Sequence, residues 1–244
     1  MPDHPHIETA RQRLLAKLAS LAPLTDEDRQ GLLSLPLTFD SWSAGQDIVC
    51  QGEAPNVCAI VVEGFVCRFK LSSDGAREIL AWHLPGDTPD FQSLYLKRLD
   101  HGLGAVSDAV VAFVQHKHIG PLLERSSAIR TAFFKDVLQE AAVYREWLVN
   151  IGHRPALQRM AHMFCEIATR FDHAGFEGSP RYPLPLLQAD LADALGLSGV
   201  HVNRVLQELR RMALVAVRGR TLEVLDRPGL EELGGFDPDY LRLV

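Results

Sequence analysis

Residues 188–211 place two short helices at a fixed offset through the residues that join them. The stretch runs Gln188-Ala189-Asp190-Leu191-Ala192-Asp193-Ala194-Leu195-Gly196-Leu197-Ser198, then Gly199-Val200-His201-Val202-Asn203-Arg204-Val205-Leu206-Gln207. Two helices meeting at a sharp angle need a small residue where they nearly touch, and Ala192 is small. Four residues on, Gly196 supplies the positive φ that such a turn demands. Ser198 offers an N-cap hydroxyl to the second helix. Leu191, Leu195, Leu197, Val202 and Val205 close a core between the helices. One alanine and one glycine are a weak signal. Small residue, glycine, cap and five apolar positions at agreed offsets predict a helix-turn-helix, with an ordinary αα-hairpin as the alternative.

The second helix continues through Leu206, Leu209 and Arg210-Arg211. Residues Met212–Val217, then Arg218-Gly219-Arg220, then Thr221–Leu225 predict a β-hairpin with a basic tip. A hairpin directly after the second helix makes a winged helix-turn-helix, whose second helix enters the DNA major groove. Its exposed face carries Gly199, Val200, His201, Asn203, Arg204 and Gln207. Arg204 suits a bidentate guanine contact, with Asn203 and His201 next for base or phosphate. Val200 offers contact to a thymine methyl, and Gly199 lets the helix N-terminus approach the backbone. Gln188 and Ser198 complete the candidate set. Arg218 and Arg220 fit phosphates, which fix register without reading sequence; a solvated turn explains Arg220 alone equally well.

Charge argues less plainly for DNA. The 244 residues carry a formal net charge of −6. Residues 1–152 hold 14 Lys+Arg against 19 Asp+Glu, and residues 153–244 hold 11 Arg, no Lys and 12 Asp+Glu. Every cation of the second part is therefore arginine, the side chain suited to phosphate and guanine. A local basic face can bind DNA whatever the total. No apolar run approaches the ~20 residues of a membrane span. The start, Met1-Pro2-Asp3-His4-Pro5-His6, lacks a basic segment followed by an apolar one, so no secretory leader is expected. Cys50, Cys58, Cys67 and Cys165 form no C-x-x-C pair, which suits reduced thiols in a cytoplasmic protein.

Upstream, residues 8–34 look helical, with Leu14, Leu15, Leu18 and Leu21 on one side and an N-cap at Thr25-Asp26-Glu27-Asp28. This reads as a lid or packing segment. Short β-like runs follow at Asp47–Cys50, Val57–Val62, Phe65–Leu71, Glu78–His83 and Ala109–Gln115, with glycine-bearing turns between them. That spacing predicts a small antiparallel barrel or roll, with Ser73-Asp74-Gly75 as a hairpin. Residues 121–151 predict one helix with Pro121 in its first turn. Phe134, Val137, Ala141, Tyr144, Leu148 and Ile151 follow a 3-4 spacing, the seam of a coiled coil. They predict a dimer interface, unless the stripe packs on the barrel. Phe133 and Trp147 lie off the seam and are free to make that barrel contact. Gly152-His153-Arg154-Pro155 breaks the helix and reads as a hinge. A further helix, Ala156–Phe171, precedes a Gly/Pro-rich loop.

The expectation is an α+β chain: helices and an antiparallel β-roll sensor over 1–120, a dimerisation helix over 121–151, a hinge over 152–155, and a winged helix-turn-helix domain over 156–244. In that order of parts the chain resembles the Crp/Fnr superfamily of bacterial transcription factors over nearly its whole length. Gly45-Gln46-Asp47-Ile48-Val49-Cys50-Gln51-Gly52-Glu53 and Ile60-Val61-Val62-Glu63-Gly64-Phe65-Val66 are similar to the family's paired first strands. Asp190–Ser198 followed by His201-Val202-Asn203-Arg204 resembles the Fnr- and FixK-like branches. The resemblance implies a homodimer on a palindromic double-stranded operator, often an activator touching RNA polymerase. It places base contacts at Gly199, Val200 and Arg204.

The resemblance is weaker in the sensor half. Cyclic-nucleotide-binding members carry Gly-Glu and then an Arg that clamps the cyclic phosphate. Here the stretch is Pro85-Gly86-Asp87-Thr88-Pro89-Asp90 through Asp100-His101-Gly102-Leu103-Gly104-Ala105, with Asp100 or His101 about where the Arg belongs. An aspartate there repels phosphate, so cAMP and cGMP are not expected. Fnr-type iron–sulfur ligation needs four cysteines, most near the N-terminus; none precedes Cys50. Haem ligation is open to His83, His101, His116 and His118, and His116-x-His118 on a strand would put two rings on one face. Cys67 or Cys165 is a thiol switch only if exposed with a depressed pKa. The competing function is a cyclic-nucleotide-responsive module acting on a protein partner. Phosphate-loop, nucleophile-elbow and zinc-protease motifs are missing, so no enzyme is expected.

Overall fold

The computed structural model describes residues 5–176 and 178–241. Met1–His4, part of the stretch read for a leader, lie outside the described residues. The chain divides into two compact units between Glu140 and Ala141.

In the first unit, helices α1 (Ile7–Leu21) and α2 (Asp26–Leu33) precede the sheets. Thr25 caps α2 as expected: its Oγ1 accepts from Asp28 N at 3.2 Å, and Asp28 accepts from Thr25 N at 3.0 Å. Seven strands follow: β1 (Leu37–Trp42), β2 (Asp47–Val49), β3 (Val57–Glu63), β4 (Val66–Leu71), β5 (Arg77–His83), β6 (Gly102–Ala105) and β7 (Ala109–Gln115). They form a three-stranded sheet, β1-β7-β3, and a four-stranded sheet, β2-β6-β4-β5, antiparallel throughout. This is the expected roll.

The run Val57–Val62 is unbroken in its apolar character because both faces of its strand are buried. Successive side chains alternate between faces. Cys58, Ile60 and Val62 join Leu14, Leu18, Ile119 and Ile129 in one core. Ala59 and Val61 join Val66, Leu103, Val111 and Phe113 in the other, between the sheets. The N-terminal helices are therefore packing elements.

Two strands were not expected. β1 pairs with β7 from Leu37↔Val114 to Trp42↔Ala109. β6 is Gly-Leu-Gly-Ala; a Cβ on Gly102 would fall 2.4 Å from the Phe69 ring, which fills the place of a side chain. The helix expected over 121–151 is two helices. α3 (His116–Arg125) holds Pro121 in its interior rather than its first turn, and α4 runs Ser127–His153. Ser126 separates them and caps α4, its Oγ accepting from Ile129 N at 3.0 Å. Phe133 packs within the first unit, stacked on Phe91 at a centroid distance of 3.9 Å.

The second unit holds α5 (Ala156–Phe171), β8 (Arg181–Pro183), α6 (Gln188–Leu195), α7 (Gly199–Arg211), β9 (Val215–Arg218), β10 (Thr221–Val224) and α8 (Arg227–Gly234). α5 is its core, with Met160, Phe164, Cys165 and Ala168 fully buried. The expected wing is present as β9–β10, with Thr221 opposite Arg218. β8 adds a third strand where only a loop was expected. Within the second unit, Trp147 Nε1 donates to Glu166 of α5 at 3.0 Å.

Candidate nucleic-acid interface

The turn between α6 and α7 forms as its residues dictate. Gly196 ends α6 at φ 59°, ψ 42°, the left-handed region. Its N–H and that of Leu197 both turn back to the Ala192 carbonyl. Ser198 caps α7, accepting from His201 N at 3.3 Å. Asp190 accepts from Leu187 N at 2.8 Å and caps α6 from inside its first turn. Leu191, Leu195, Val202, Val205, Leu206 and Leu209 are buried between the helices and their neighbours.

That packing turns one face of α7 outward. Gln188, Gly199, Val200, Asn203, Arg204 and Gln207 border one open groove of about 450 Å³. Val200 is 75% exposed despite being aliphatic. Gln207 Nε2 donates to Asn203 Oδ1 at 2.8 Å, so these two amides present themselves together. His201 lies at the edge of the same helix and is half-buried. Arg204, Arg218 and Arg220 are exposed, and among the described residues none of their guanidinium groups has a partner. Arg210 and Arg211 are occupied: Arg210 donates to Val217 O at 2.8 Å and Arg211 pairs with Glu208 at 2.7 Å. Arg210 thereby ties the second helix to the wing.

One structural residue of this region escaped the sequence. Arg159 on α5 donates to Leu195 O at the end of α6, to Ile151 O at 2.9 Å and to Arg154 O at 3.2 Å. It satisfies carbonyls that helix ends leave open. Nothing in local spacing signals a contact 36 residues away.

Two family matches now decide what the chain is. Residues 158–233 match the Crp-like helix-turn-helix domain, and residues 39–126 match the cyclic nucleotide-binding domain. The chain belongs to the Crp/Fnr family. It is 27% identical to the transcriptional activator protein FnrL of Cereibacter sphaeroides, over 82% of each chain. It is also 27% identical to the nitrogen fixation regulation protein FixK of Rhizobium meliloti, over 82% of this chain and 89% of that one. The structure of FixK2 from Bradyrhizobium japonicum superimposes with a TM-score of 0.73 at 25% identity, covering 82% of this chain and 98% of that one. Crp/Fnr chains are DNA-binding transcriptional regulators, not enzymes. Among the described residues no helix is long and apolar enough to cross a membrane.

In the Crp/Fnr roll, the residues expected near a cyclic phosphate are engaged with other residues of the first unit. Asp87 is tied to Lys17 at 3.5 Å and to Leu84 N at 2.7 Å. Of the two residues expected near the phosphate position, Asp100 faces solvent and pairs with His101 and Lys70, whose hydrogen bonds hold its carboxyl down at about 2. His101 is buried, and burial lowers its pKa. Arg98 lies outside, donating to Gly52 O. The cation inside is Arg68 from β4, closed by Glu140 at 2.6 Å.

His116 and His118 lie on α3 and not on a strand, so their rings do not share a face as supposed. His116 Nε2 instead meets Ser93 Oγ at 3.0 Å. Burial pushes the Cys165 thiol up to about 12, which removes the exposed, acidic thiol that a redox switch needs. Cys67 is buried as well.

The seam residues expected to pair two chains are not buried. Phe134 and Leu148 are 64% and 72% exposed, and Val137, Ala141, Tyr144 and Ile151 are half-buried.

Proposed function

We propose that this Crp/Fnr chain acts in the cytoplasm as a homodimer on a palindromic operator. Each α7 enters a major groove, and the half-sites lie one helical turn apart. The observation that carries this is Arg204: it borders the groove of α7, is exposed, and has no guanidinium partner among the described residues. It pairs bidentately with guanine. Val200 contacts a thymine methyl, and the tied Asn203–Gln207 amides and His201 meet base or phosphate. Gly199 and Ser198 bring the helix N-terminus to the backbone, with Gln188 beside them. Arg218 and Arg220 hold phosphates through the wing. Phe134, Val137, Ala141, Tyr144, Leu148 and Ile151 form the dimer seam. The FnrL relative is named as an activator, which supports activation through RNA polymerase here.

The roll is a sensor that does not take cyclic nucleotides, since its buried Arg68 already pairs with Glu140 and Asp100, near the expected phosphate position, carries the wrong charge. Titration calorimetry with cAMP and cGMP is expected to give no heat of binding. Tight binding would revive a cyclic-nucleotide-responsive module.

Arg204→Ala is expected to cost about 1–3 kcal/mol of operator affinity and to relax preference at one base pair. Selection from random DNA followed by binding titration measures both. Unchanged affinity and base preference would overturn the assignment of α7.

A further inference from the structure

The break at Gly152–Pro155 looks like a flexible joint in sequence, yet it is braced on every side. Arg154 pairs with Glu146 at 2.6 Å, one helical stretch back, and reaches Gly235 O at 3.4 Å beyond α8. Asn150, buried at the end of α4, donates to Arg159 O at 3.2 Å, while Arg159 donates back to Ile151 O and Arg154 O. Gly152 is exposed, helical, and has nothing within 4 Å of where a Cβ would be. The bend therefore does not use its glycine.

A buried carboxylate sits under the same corner. Glu166 Oε2 accepts from Trp147 Nε1 of α4 at 3.0 Å and from Tyr240 Oη at 2.7 Å. Tyr240 belongs to a C-terminal strap, a 3₁₀ turn over Pro238–Leu241. With Phe236 it covers His162, the rings lying 5.9 Å and 5.1 Å away. α8 approaches so closely that a Cβ on Gly234 would fall 2.7 Å from His162 N. One carboxylate oxygen thus joins the last turns of α4 to the far end of the chain, across α5. Burial raises the Glu166 carboxyl and lowers His162 to about 4, as expected of groups shut away from water.

We propose that residues 152–155 form a locked elbow, and that Tyr240 and Trp147, through Glu166, are positioning residues that set the operator's half-site spacing. The last turns of α4 and the helix-turn-helix belong to one compact unit. If α4 pairs two chains, a rigid elbow transmits the dimer's geometry directly to the distance between two α7 helices. Neither residue lies on the DNA-facing groove, so base preference within a half-site is unaffected. The inference rests on the dimeric-operator reading above.

The test uses full-length protein and a library of palindromes whose half-site spacer varies. The wild type is expected to show one sharp spacing optimum. Tyr240→Phe removes one hydrogen bond to a buried carboxylate, and Trp147→Phe removes the other. Each is expected to reduce discrimination between spacings roughly tenfold, with the half-site sequence unchanged. Gly152→Ala is expected to keep the wild-type profile. A sharp wild-type optimum retained in both folded phenylalanine variants overturns the elbow, as does a Gly152→Ala profile that shifts. A wild type indifferent to spacing overturns the dimeric-operator reading instead.

Discussion

Gly196→Ala isolates the turn on which the DNA-binding unit depends. A Cβ at Gly196 would meet Arg159 Nη1 at 3.5 Å and Ile151 Cγ2 at 3.9 Å, both ordinary contacts. There is room, so the cost is the backbone alone. At φ 59° a Cβ crowds the following carbonyl oxygen, at about 1–2 kcal/mol. In a chain of this length each kcal/mol moves Tm by about 2–4 °C, so the loss is about 2–8 °C. Gly196→Asn, which tolerates this conformation, is expected to recover most of it. Gly199→Ala is the control: its φ is not positive and nothing lies within 4 Å, so alanine there is neutral or stabilising by less than about 1 kcal/mol. Calorimetric melting of the four proteins reads the series. Equal melting of Gly196→Ala and wild type would show that the turn does not demand positive φ. A loss well beyond about 2 kcal/mol would show that the space is not there.

Asp90 is buried, and desolvation raises its pKa to about 6 from an unfolded value near 4. Between those values the native state binds the extra proton, so stability is full below pH 4 and is lost as pH rises to 6. Chemical denaturation of wild type against Asp90→Asn is expected to show a difference of up to about 3 kcal/mol developing across that window; a constant difference refutes it. Phe134→Glu with Leu148→Glu is expected to yield folded monomers in sedimentation velocity, with operator binding weakened; a stable, DNA-competent dimer would sink the seam. Arg218→Ala and Arg220→Ala are each expected to lower the salt slope of DNA binding by about 0.9, with base preference intact. An unchanged slope would return both residues to solvent.

What was legible in the sequence was what short-range chemistry enforces. Thr25 with Asp28, Ser198 with His201 N, and Gly196 after Ala192 act within five residues, and each stands where its residue type requires. The strands that escaped lack such signals. β6 is half glycine, and the Phe69 ring across the strand fills the place of a Gly102 side chain. β1 is an edge strand whose burial alternates incompletely. Pro121 suggested a helix start, but the capping of Ile129 by Ser126 places the start of α4 later. Arg159, Glu166 and Tyr240 escaped for the opposite reason. Their partners are distant in the chain, and a buried Glu looks like any other Glu until the fold surrounds it.

The charge of the DNA-binding part shows why pairing outweighs totals. Residues 153–244 carry more acids than arginines, which should repel a polyanion. Part of that acidic excess is taken up within the chain, however. Arg181 meets Glu223, Arg211 meets Glu208, and Arg227 meets Glu231 and Asp172. Each pair offsets charge where it stands. Arg204, Arg218 and Arg220 remain outside this cancellation, on the recognition helix and the tip of the wing. A weak total with these three exposed arginines predicts modest non-specific affinity. One such unit holds too few phosphates to stay bound at physiological salt. On the proposed dimeric reading, tight binding requires two units on one operator, and the exposed seam of α4 and the arginines of α7 and the wing then act together.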